Sequence, residues 1–105
     1  MKEITALELK NKMNNGEDFQ LIDVREPHEF DAANIGGELI PLATVLDSAS
    51  RISKDKPVII HCKAGMRSAA AIQHLESKLG YKNLYNLKGG ILAWAKEIDS
   101  SLNVI

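Results

Sequence analysis

Short β-branched runs alternate with helix-spaced runs along this chain, and that alternation limits its possible folds more than any other feature. Phe19-Gln20-Leu21-Ile22-Asp23-Val24 is too short and too branched for a helix and reads as a buried strand. Leu39-Ile40 reads as a brief strand ended by Pro41, Lys56-Pro57 opens a strand over Val58 to His61, and Asn83 to Leu87 reads as another. The intervening segments carry helix signals. Thr5-Ala6-Leu7-Glu8 forms a capping box, with Ile4 and Leu9 placed for a hydrophobic staple and Asn15-Gly16 as the stop. Pro27 suits the first turn of a short helix through Phe30, and Gly36-Gly37 breaks it. Leu42 to Ala49 is expected to be helical. Ser68, Ile72, Leu75 and Leu79 share one face of a helix closed by Gly80, and after a turn at Gly89-Gly90 a last helix runs from Ile91 to Ile98. It carries Trp94 toward the core. Strands alternating with helices predict an α/β fold, a mostly parallel sheet covered on both faces. Ligands of such sheets bind beyond the carboxyl ends of the strands. Cys62 and Asp23 both stand at such ends.

At 105 residues the chain fits one domain, residues 1–105, with an ordinary globular balance of 45% hydrophobic and 26% charged residues. Its one cysteine allows no internal disulfide, so no oxidising compartment is needed. Met1-Lys2-Glu3-Ile4 opens no apolar stretch, so no secretory signal is expected, and no run approaches the ~20 apolar residues of a membrane span. Interspersed charges summing to −1 give no nucleic-acid footprint. A cytoplasmic protein that binds neither nucleic acid nor membrane is the expectation.

The cysteine opens the segment Cys62-Lys63-Ala64-Gly65-Met66-Arg67-Ser68, between a strand and a helix. A helix N-terminus favours the thiolate, and the small Ala64 and Gly65 let an anion come close to backbone N–H groups. The dipole stabilises an exposed anion by about 0.3–1 kcal/mol, less than roughly one pKa unit, so more is required for a strongly activated thiolate. Converging loop N–H groups, with Lys63 or Arg67 nearby, are the candidates. Arg67 opens a helix against its dipole and so calls for a compensating anion. Lys63 is equally a solvated surface residue or a cation that steers a substrate.

Strand alternation points His61 away from Cys62, so His61 reads as a satisfied core histidine rather than a base. His28 and His74 carry no assigned role, and the histidines lack metal-ligand spacing relative to Cys62, so no metal is expected. In the charged cluster after the first long strand, Arg25 and Glu29 read as an ion-paired turn. Asp23, at the ligand edge of the sheet, is placed to orient loop groups or a neighbouring side chain.

Four segments in order resemble the single-domain rhodanese-like sulfurtransferases over nearly the whole chain. They are Leu21-Ile22-Asp23-Val24-Arg25-Glu26-Pro27-His28-Glu29-Phe30, Ile35 to Leu42, His61 to Ala69, and Asn83 to Trp94 with its Lys88-Gly89-Gly90-Ile91 core. The resemblance implies a sheet of five parallel strands with helices on both faces, built from residues 1–105. It further implies that Cys62 takes sulfane sulfur from thiosulfate, a polysulfide or a persulfide, and holds it as a persulfide within the loop Lys63 to Ser68. A thiol or a sulfur-carrier protein would then remove it, with Asp23 and Arg25 in support and no cofactor or metal.

Ala33-Asn34-Ile35 departs from the family's Gly-His-Ile, which removes a histidine there. Gly36-Gly37-Glu38-Leu39-Ile40-Pro41-Leu42 is closer to rhodanese domains fused to adenylyltransferases that activate molybdopterin or thiamine sulfur carriers. Three rivals stand beside sulfur transfer: a rhodanese-related cysteine phosphatase, a non-catalytic binding module, and a thiol sensor. Cysteine phosphatases place five residues between cysteine and arginine. Here there are four, a tighter ring that suits sulfur better than a phosphoryl group.

Overall fold

The computed structural model describes residues 1–105. The capping box forms as the spacing predicts. Thr5 Oγ1 accepts from the Glu8 N–H, Glu8 accepts from the Thr5 N–H, and α1 (Ala6–Asn14) starts there. Beyond it come β2 (Gln20–Asp23), α2 (Pro27–Ala32), β3 (Glu38–Leu39), β4 (Val58–His61), α3 (Met66–Leu79), β5 (Leu84–Leu87) and α4 (Gly90–Glu97). The remaining strand, β1 (Glu3–Ile4), lies before α1, in a stretch that the sequence marks only as a helix lead-in. Two residues show no period. They become a strand because β5 offers its free edge, pairing Glu3 with Asn86 and Ile4 with Leu87.

The sheet is parallel throughout, in the order β1-β5-β4-β2-β3. The chain leaves β2 toward one edge and β4 toward the other, so the crevice beyond their carboxyl ends is the topological switch point. β4 is central and fully buried, as its unbroken apolar run requires. Its residues alternate between two cores. Val58, Ile60 and Cys62 pack with Ala71, Ile72 and Leu75 of α3, whereas Ile59 packs with Leu9 of α1 and Trp94 of α4. Helices thus cover both faces. None of them is long and apolar enough to cross a membrane.

Two expectations need correction. Leu42 to Ala49 is not a helix but two 3-10 turns, Leu42–Thr44 and Ala49–Arg51. Thr44 and Val45 are β-branched, and Asp47, Ser48 and Ser50 favour local backbone bonding over helix propagation. The segment still buries Val45 and sets Leu42 and Leu46 against the core. Leu79 does not join the buried face of α3, because it ends the helix beside Gly80 and is 39% exposed. Elsewhere boundaries move by a residue or two: α2 runs to Ala32, and α3 begins at Met66.

Candidate active site

Where β4 ends, the chain turns through Lys63, Ala64 and Gly65 into α3. Gly65 makes that turn possible with φ of +117°, a left-handed conformation that disfavours any side chain. The turn brings the Gly65 N–H to 3.1 Å from Cys62 Sγ and the Ser68 hydroxyl to 3.4 Å. Cys62 itself is 1% exposed. Burial pushes its thiol up, but the Ser68 hydroxyl and the N–H groups of Ser68, Gly65 and Ala64 together draw it below its ordinary value. The activation therefore comes from the loop's own donors, as the weakness of the dipole requires.

A second helix fixes the loop from outside. The first N–H groups of α4 have no partners within their own helix, and they donate to loop carbonyls: Ile91 N–H to Cys62 O at 3.0 Å and Leu92 N–H to Lys63 O at 3.1 Å. With those carbonyls held outward, the loop's N–H groups face the sulfur. Gly90 permits the approach, since a Cβ there would stand 2.4 Å from Lys63 O and 2.6 Å from Cys62 O. This contact accounts for the Gly89-Gly90 pair, which the sequence marks only as a turn.

Arg67 has the anion that its place at a helix start demands. Glu29 meets it in a two-pronged pair at 2.6 and 2.9 Å, across thirty-eight positions of sequence. The Arg67 donors hold the Glu29 carboxyl down at about 2, despite burial, with help from the Glu26 N–H. Glu29 thus belongs to the site, and the ion-paired turn expected of Arg25 and Glu29 does not form: Arg25 pairs with Asp23 and reaches Glu29 only at its main-chain carbonyl.

Asp23 and Arg25 do not reach the loop. They form a fully buried pair in which Arg25 Nε and Nη2 both donate to the Asp23 carboxylate, with Nη2 to Oδ2 at 2.8 Å. Arg25 spends its other donors on Ala33 O at 2.7 Å and Glu29 O at 3.4 Å, which ties down the end of α2. Their connection to the site is indirect: they position the helix that presents Glu29.

His61 faces the opposite side of the sheet from Sγ, as alternation requires. It is not a fully satisfied core histidine. Nδ1 lies 3.3 Å from Cys62 O, and Nε2 lies 3.5 Å from Asp23 Oδ2 without a well-directed hydrogen bond. Burial lowers its pKa against the pull of Asp23, so the ring is neutral and has one N–H for two acceptors.

Asn86 is the residue that sequence reasoning passed over. It reaches from β5 to donate to Gly65 O at 3.1 Å, and its Oδ1 accepts from Ser68 at 2.6 Å. Around the mouth, Ala64 is exposed, Met66 is 85% exposed, and Lys63 is half-buried. No three His, Cys, Asp or Glu side chains gather as metal ligands. The assembly is a recessed thiol with convergent donors, suited to nucleophilic attack and to holding a small anionic adduct.

The chain is similar to known proteins in both sequence and fold. The profile of the Rhodanese-like domain matches residues 5–97. A sulfurtransferase of Allochromatium vinosum is 36% identical over 97 residues, covering 91% of this chain and 90% of that one. The probable adenylyltransferase/sulfurtransferase MoeZ of Mycobacterium tuberculosis is 35% identical over 102 residues, and the match spans only 26% of its length. Among solved structures, a rhodanese-like domain protein of Staphylococcus aureus superposes with a TM-score of 0.84 at 35% identity, covering 100% of this chain and 99% of that one. The chain belongs to the rhodanese-like domain family.

Proposed function

We propose that the protein is a sulfurtransferase in which Cys62 carries sulfane sulfur as a persulfide. The observation that carries this reading is the cluster of donors on one recessed sulfur: the Gly65 N–H and the Ser68 hydroxyl lie within 3.1 and 3.4 Å of Sγ. Family membership and the relatives named as sulfurtransferases support sulfur transfer in general. The Cys62 thiolate attacks the sulfane sulfur of thiosulfate, a polysulfide or a persulfide. The donor's S–S bond breaks with its electrons on the leaving sulfite or thiolate, and the charge passes to the terminal sulfur of Cys62. An acceptor thiol, free or borne on a carrier protein, then attacks that terminal sulfur, departs as a persulfide and leaves the electrons of the broken S–S bond on Cys62, which restores the thiolate. MoeZ, whose name joins adenylyltransferase to sulfurtransferase, supports a carrier protein as acceptor. Lys63 to Ser68 form the binding loop, and the cycle uses the residues of one domain without cofactor or metal.

Phosphoryl transfer fits less well. The loop spans four residues between Cys62 and Arg67, and both terminal nitrogens of the Arg67 guanidinium are engaged by Glu29 rather than free for phosphate oxygens. Intact mass after incubation with thiosulfate, a polysulfide or cysteine persulfide tests the reading. One added sulfur atom on the wild type, absent in Cys62→Ala, is expected. No adduct with any of these donors would overturn it. Hydrolysis of para-nitrophenyl phosphate abolished by Cys62→Ser would establish the phosphatase instead.

A further inference from the structure

Ser68 has one hydroxyl proton and three acceptors around it. Asn86 Oδ1 is at 2.6 Å, Gly65 O at 3.1 Å and Cys62 Sγ at 3.4 Å. Asn86 cannot turn its amide to resolve the competition, because its Nδ2 donates to Gly65 O at 3.1 Å, and a flipped amide would set two carbonyl oxygens against each other. Ser68 and Asn86 are both buried, so water does not supply the missing donor.

Hydrogen-bond arithmetic then separates the states of the cysteine. When Cys62 is a thiol, its S–H donates to Ser68 Oγ and the hydroxyl donates to Asn86, so every group is satisfied. When Cys62 is a thiolate, the hydroxyl must rotate to the sulfur to stabilise the charge. Asn86 Oδ1 then faces a bare Ser68 oxygen at 2.6 Å with no proton between them. When sulfur is loaded, Sγ becomes a neutral bridging atom, the charge sits on the terminal sulfur, and the hydroxyl returns to Asn86. Between thiolate and loaded form no proton enters or leaves, since the hydroxyl only rotates.

We propose that Asn86 is a positioning residue that competes with Cys62 for the Ser68 proton and thereby destabilises the resting thiolate relative to both the thiol and the sulfur-loaded form. The part concerning the loaded form rests on the sulfur-transfer reading. The part concerning the thiolate does not. A thiolate that gains its donor only at the expense of Asn86 is less stable, and a loaded state relieved of the competition is favoured, so one amide on β5 biases the site toward taking up sulfur.

The test measures the pH dependence of Cys62 alkylation by iodoacetamide in Asn86→Leu and Asn86→Asp. Both changes delete the donor to Gly65 O, and the charge of aspartate raises the midpoint whatever the role of Asn86, so the leucine arm and its dependence on Ser68 decide. Leucine frees the hydroxyl for the thiolate and lowers the midpoint by about half a unit to one unit, the worth of one modest hydrogen bond. Aspartate, an acceptor that holds the proton and adds a negative charge, raises it. In Ser68→Ala the effect of Asn86→Leu should vanish. An Asn86→Leu midpoint that does not fall, or an Asn86→Leu effect that survives in Ser68→Ala, would overturn the proposal. Should Asn86→Leu not fold, Asn86→Ala carries the same expectation. In a parallel arm, the loaded fraction at equilibrium with thiosulfate and sulfite, read by intact mass, should fall several-fold in Asn86→Leu, and an unchanged fraction would overturn the bias toward loading. A wild type that gains no sulfur overturns the sulfur-transfer reading and the loading bias with it, whereas the alkylation midpoints judge the proton competition separately.

Discussion

The guanidinium of Arg67 is bound through both terminal nitrogens to the carboxylate of Glu29, which joins the first turn of α3 to α2 across the mouth of the cysteine loop. This pair does for the helix start what a solvent anion would do elsewhere, and it holds the loop's strongest cation in one place.

Its titration gives the first prediction. Glu29 titrates at about 2 when folded against an ordinary 4.5. A depressed carboxyl stabilises the fold at pH values above its unfolded pKa, and that contribution fades as pH falls from about 4.5 toward about 2. Allowing for the 35% exposure of the Arg67 side chain, the contribution is on the order of 1–2 kcal/mol. Urea midpoints of the wild type should therefore fall between about pH 5 and about pH 3 by more than those of Glu29→Gln, which lacks the titrating group. Parallel curves for the two proteins would show that the pair does not contribute.

Arg67→Ala should leave Cys62 in place but free the Glu29 carboxylate near it. Turnover should fall more with the dianion thiosulfate than with an uncharged organic donor, a difference of about tenfold, or roughly 1.4 kcal/mol, read as kcat/KM for each donor. Equal losses would mean that Arg67 supports the loop and not the charge of the donor.

Gly90 bears on the loop through space rather than sequence. Gly90→Ala places a methyl group against the carbonyls of Cys62 and Lys63 and forces φ of +61° on an alanine. A loss of roughly 2 kcal/mol or more in stability is expected, since contact with backbone cannot be relieved by a rotamer change. Cys62 alkylation should also lose part of its thiolate character, its midpoint rising. A Gly90→Ala protein with wild-type denaturation and wild-type alkylation would disprove the contact.

The buried Asp23–Arg25 pair should be costly to break and catalytically mute. Arg25→Met leaves the Asp23 carboxylate without its partner in the core, so about 3–5 kcal/mol of stability should be lost. Sulfur loading per folded molecule, with the folded fraction measured by circular dichroism, should stay close to wild type. A loading defect beyond the unfolded fraction would place Arg25 in the chemistry.

Much of the architecture is legible in the sequence because it obeys local rules. The capping box at Thr5 and Glu8, the strand Val58 to His61 and the stop at Gly80 all depend on residues within one turn or one strand. So does the parity of β4, which sets Cys62 and His61 on opposite faces. The illegible parts depend on groups brought together from far along the chain. Glu29 meets Arg67 and Asn86 meets Ser68 only after the sheet forms, and β1 exists only because β5 has an edge to fill. For Arg67 half of the answer is visible: its position requires an anion, though not which one. Asn86, in a strand, carries no comparable signal. The helix expected over Leu42 to Ala49 does not form because the turn-forming Asp47 and Ser48 outweigh the apolar spacing.

The seclusion of Cys62 also governs how the molecule meets its own kind. A disulfide between two copies would require their Cys62 Cα atoms to come within about 7 Å, with the sulfurs about 2.05 Å apart. The sulfur lies beneath its own loop, with α4 fastened to that loop's carbonyls, so two copies cannot meet in this way unless one loop opens. No second cysteine in the chain offers another route. A solution of this protein should therefore tolerate air without covalent pairing, although it carries a thiol disposed to lose its proton.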